Sequence, residues 1–105
     1  MNPWAMTPEE ARDLAGRLNW HLAGLPVEDL PVGIQPETVC SPGTRVEEVR
    51  AAQYGNSWLA RLEVIVIETR ADGSSFRKTL AGIDAYSARI IADSRDEAAE
   101  TAAEG

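Results

Sequence analysis

Apolar residues recur along the chain with two periods, and the switch from one to the other marks its elements. Ala11, Leu14, Ala15, Leu18, Leu22 and Leu25 repeat at helical spacing on one face. Thr7 offers a capping hydroxyl, Pro8 suits the first helical position, and Glu10 can return the capping bond. Gly24 provides a stop. The pattern predicts a helix over residues 8–23. Further on, Trp58, Ala60, Leu62, Val64 and Val66 alternate with Leu59, Arg61, Glu63, Ile65 and Ile67. That is the period of a strand, with one wholly apolar face and one mixed face. Asp72-Gly73 follows as a hairpin signal, and Ser75 onward alternates again.

Residues 24–43 hold Pro26, Pro31, Pro36 and Pro42, which exclude a long helix. They read as a Pro-rich connector that buries part of Leu25, Val27, Leu30, Val32 and Ile34, with a short edge strand near Val32–Ile34. Residues 44–54 point two ways. Thr44 with Glu47 resembles a capping box, and Val46, Val49 and Ala52 have helical spacing. Tyr54-Gly55-Asn56-Ser57, however, is a turn leading into the next strand, so a strand at 45–53 is favoured. After Asp84, which can cap, Ile83, Tyr86, Ile90 and Ile91 form an apolar stripe, with alanines allowing close packing.

These elements predict an α+β fold. A three-stranded antiparallel sheet (about 45–53, 57–69 and 75–81) is packed by an N-terminal helix (8–23) and a C-terminal helix (84–98). The 105 residues suit a single domain over 1–105. Residues 1–6 and 99–105 are expected to be flexible ends. The order of helix, three strands and helix resembles that of the double-stranded-RNA-binding domain. The start of the last helix, Gly82-Ile83-Asp84-Ala85-Tyr86-Ser87-Ala88-Arg89, holds one acid and one base. The resemblance therefore implies an order of elements and not RNA binding.

Charge is unevenly spread. The net −7 comes from −4 over residues 1–40, +1 over 41–92 and −4 over 93–105. The ends repel phosphate backbones and attract basic surfaces, so neither nucleic-acid nor membrane binding is expected. The apolar runs are too short to span a bilayer. The N-terminus lacks a signal-peptide pattern, and Cys40 is a lone cysteine. The cytoplasm is the expected location.

Candidate chemistry is thin. His21 lies near the apolar face of the first helix and reads as a packed or rim histidine. One His and one Cys cannot build a structural zinc site, and the glycines form no phosphate loop. No catalytic residue, cofactor or metal is expected. Trp20 falls about 240° around the helix from Leu14, off the apolar stripe, which leaves two readings: cover by the 24–43 connector, or an exposed indole that suits a partner anchor. Asp93, Asp96, Glu97 and Glu100 form an acidic face. The sequence therefore predicts a protein-binding module, an inhibitor or adaptor docking on a basic partner surface. Anti-CRISPR-type inhibitors of phage or mobile elements, immunity proteins and antitoxins share this physics. One alternative is a self-assembling structural or accessory subunit of a larger complex, or a homodimer, that covers Leu59, Ile65 and Ile67 on the mixed strand face. Another is a small enzyme or ligand carrier with a pocket lined by Tyr86, His21 and Arg61.

Overall fold

The computed structural model describes residues 6–53 and 60–104. The order is α1 (Pro8–Leu22), a 3₁₀ turn (Val27–Asp29), β1 (Arg45–Gln53), β2 (Ala60–Thr69), β3 (Ser75–Ile83) and α2 (Ala85–Glu104). The strands form one antiparallel sheet in the order β1-β2-β3. The α+β fold expected from the periodicities is the one observed. Trp4, the turn at 54–57, Trp58 and Leu59 lie outside the described residues.

Thr7 caps α1 through its hydroxyl, which accepts the Glu10 N–H at 3.2 Å. Ala11, Leu14, Ala15, Leu18 and Leu22 are buried, as their spacing requires. Asp84 caps α2, accepting the Ser87 N–H at 2.8 Å. That helix runs on from 98 to Glu104, and β3 runs on from 81 to Ile83. The Asp72-Gly73 turn is wider than a two-residue hairpin. Gly73 donates to the Arg70 carbonyl with φ +90°, and Arg70 N–H reaches the Ser74 carbonyl. This is a type I turn closed by a residue with positive φ.

Two β-bulges explain why β1 and β3 depart from strict alternation. In β1 the register shifts between Val46 and Glu48, so Val46 and Val49 both face the core despite their odd spacing. In β3 the shift falls opposite Val64 and Ile65, and adjacent Leu80 and Ala81 are both buried. Leu62, Val64 and Val66 of β2 are fully buried between them.

The connector departs from expectation at its centre. Residues 32 and 33 form a turn, not an edge strand, and Gly33 takes φ +109°. Val32 is thrown fully into solvent while Ile34 is buried. Leu25, Val27 and Leu30 pack against the core as expected.

The segment just after α1 closes the free edge of β1. Gly24 N–H donates to the Val46 carbonyl at 2.8 Å, and Val46 N–H to the Leu25 carbonyl at 2.9 Å. Val27 N–H reaches the Thr44 carbonyl at 2.9 Å. One step along, the Asn19 amide takes the place of a backbone residue. Its Nδ2 donates to the Val49 carbonyl at 2.6 Å, and its Oδ1 accepts the Val49 N–H at 2.7 Å. Helix α1 is thereby fixed to the sheet edge as well as to its face.

Candidate functional site

Helices α1 and α2 lie side by side and run in the same direction. Glu10 pairs with Arg89, Arg17 with Asp93 and Asp96, and His21 with Asp96, so position rises together on both. Arg17 Nη2 lies 2.8 Å from Asp93 Oδ1 and 2.7 Å from Asp96 Oδ2, and His21 Nε2 is 2.6 Å from Asp96 Oδ1. The hydrogen bond from His21 and then that from Arg17 hold the Asp96 carboxyl below the usual aspartate range. Hydrogen bonds to Asp93 and Asp96 raise Arg17 in turn.

Among the four acids of the predicted face, Asp96 is thus committed to the seam between the helices, and Asp93 shares Arg17. Glu97 and Glu100 are exposed, with no ion pair among the described residues. Trp20 is 84% exposed, and the connector leaves it uncovered. Tyr86 and Ile90 stand about half-exposed on α2. The outer surface of the helical layer therefore combines large apolar side chains with unpaired carboxylates.

The Asp96 seam has a defined acid response. A carboxyl whose folded pKa is depressed adds stability that is fully present above its unfolded value, and this is lost as pH falls through the folded one. The wild-type protein should lose unfolding free energy on acidification below about pH 4. Asp96→Asn should be less stable at neutral pH and show a shallower acid slope. Denaturant titrations across that range would test this, and equal slopes for the two proteins would contradict it.

The open face of the sheet is sealed by charge. Glu63, buried on β2, accepts from Arg50 across the strand pair at 3.2 Å and from Arg61 at 3.0 Å. Arg77 pairs with Glu47 and Glu48. Ile65, placed on this face, is only 3% exposed and borders Arg50, Arg77 and Thr79; Ile67 is 40% exposed. Long arginine stems cover apolar surface while their heads stay wet. Ile65 is therefore unavailable as a self-association contact, and Leu59 lies outside the described residues.

The side chains named for a pocket do not converge. His21 sits at the helix seam, Arg61 on the open sheet face, and Tyr86 on the outer side of α2. Cys40 has Lys78, Glu68 and Glu28 as charged neighbours, and burial pushes its thiol pKa up, away from the reactive thiolate. Among the described residues, no group of three or more His, Cys, Asp or Glu could hold a metal ion. No helix among them is long and apolar enough to cross a membrane. The sequence pattern sets Trp20 off the apolar stripe and gathers the acids on α2. It could not show that Asp96 is spent internally, because Arg17 and His21 are far away along the chain. No protein family matches the chain, and neither does any curated protein or solved structure.

Proposed function

We propose that this protein is a binding module that docks the acidic outer surface of its helical layer on a basic protein surface, acting as an inhibitor or adaptor. The observation that carries this reading is Trp20, an 84% exposed indole on the same layer as unpaired Glu97 and Glu100. Leaving a large aromatic side chain in water has no benefit for folding, whereas such residues dominate partner contacts. The carboxylates would steer a cationic partner and make association sensitive to salt. The single cysteine suits work in a reducing compartment such as the cytoplasm. Anti-CRISPR-type inhibitors, immunity proteins and antitoxins are the kinds of protein this mode of action fits.

Immobilised wild-type protein, Trp20→Ala and the double variant Glu97→Lys/Glu100→Lys should be compared on extract from the native source. The wild type should retain a basic protein. Trp20→Ala should weaken retention by roughly tenfold or more. The double charge reversal should weaken it most at low salt. A partner held equally by all three proteins would sink the proposal.

A further inference from the structure

Opposite its buried stripe, α1 carries Glu9, Asp13, Gly16 and Trp20, all exposed. Their spacing of i, i+4, i+7 and i+11 puts them in one line along the helix, ~16 Å long. Two acids lead to a bare glycine, and the glycine to an indole. Glu10 and Arg17, beside this line, are occupied by Arg89, Asp93 and Asp96. Glu9 and Asp13 make no ion pair among the described residues. Arg12 flanks the line on its β1 side.

Among the described residues, nothing in the packing requires glycine at position 16. It lies inside a regular helix, where glycine is disfavoured against alanine. A Cβ added there would meet nothing within 4 Å, so no neighbour demands the missing side chain. Glycine does admit close approach by a group from outside. Here the notch opens one turn before an indole, whose π-face attracts guanidinium and ammonium groups.

Building on the proposed function, we infer that the line Glu9–Asp13–Gly16–Trp20 of α1 is the contact itself, and that it takes an arginine-bearing segment of the partner. One guanidinium lies over the Trp20 indole in the notch at Gly16, and neighbouring cations meet Asp13 and Glu9. A planar guanidinium suits both stacking on the indole and carboxylate pairing. The tail of α2, with Glu97 and Glu100, then steers the partner without forming the contact.

The test is an NMR titration of the full chain with a capped hexa-arginine peptide, at physiological and at low salt. The indole N–H of Trp20, identified through Trp20→Phe, and the amides of Glu9, Asp13 and Gly16 should shift together. Asp13→Lys and Gly16→Leu should each weaken binding about threefold or more, and a hexa-lysine peptide should bind less tightly. Far-ultraviolet circular dichroism would show that these exposed-site variants stay folded. Shifts confined to Glu97–Glu100 would overturn the α1 contact and leave the acidic-layer reading standing. Absence of binding anywhere on the helical layer would overturn both.

Discussion

Replacing Leu18 by alanine should cost about 3 kcal/mol of unfolding free energy, within the range of 2–5 kcal/mol for such core truncations. Leu18 is wholly buried, in a cluster to which α1, all three strands and α2 contribute. Removing its branch deletes apolar burial and leaves a void that rigid neighbours on the sheet cannot collapse to fill. For a domain of this size, a loss of that order lowers the melting temperature by roughly 12–20 °C. Leu18→Met keeps the volume and should cost less than about 1.5 kcal/mol. Urea unfolding of the two variants would decide the matter. A midpoint for Leu18→Ala within error of wild type would show that the helix does not depend on this face.

Asn19→Ala should destabilise by about 2 kcal/mol, although Asn19 is a polar residue at only partial burial. Its amide satisfies both backbone groups of Val49, so truncation leaves a donor and an acceptor unmatched at the sheet edge. Asn19→Asp is the sharper experiment. The carboxylate can still accept the Val49 N–H, but it faces the Val49 carbonyl with no proton to offer. It should be at least as damaging as alanine at neutral pH. Hydrogen exchange at the Val49 amide gives the local readout: protection should fall in the alanine variant. Unchanged exchange there would mean that the amide contact contributes nothing to the edge.

The fold was legible where a single period governs a segment. α1 announces itself by its cap and five buried positions, and β2 by its apolar alternation. The ambiguity at 44–54 has a physical origin. A bulge between Val46 and Glu48 gives a strand the three-residue spacing of a helix, so local pattern alone could not separate the two. α2 continues beyond 98 to Glu104 because alanine-rich turns favour helix while, with little to bury, they give no apolar signal. Val32 faces solvent, against its apolar character, because Gly33 turns the chain there through a positive φ. For the candidate site, the angle of Trp20 on the helix set it off the apolar stripe, but whether residues 24–43 covered it depended on the path of that segment, which its prolines do not encode. The division of the acids into seam and free surface depended on pairing across the chain between Arg17, His21 and Asp96, which no local spacing encodes. The burial of Ile65 likewise depended on Arg50 and Arg77 from neighbouring strands.

Shielding of the two lateral borders of the sheet is unequal. β1 is occupied from Thr44 to Val49 by the chain after α1 and by Asn19. Along β3, Glu37 bonding to Leu80 is the one backbone neighbour beyond β2 among the described residues. Any added strand, grafted by design or recruited during aggregation, would therefore join at Ser75–Thr79. Arg77 and Lys78 stand there already engaged, Arg77 with Glu47 and Glu48 and Lys78 with Glu68 and the Val39 carbonyl, so a strand arriving at this border would meet open backbone groups and little free charge to oppose it.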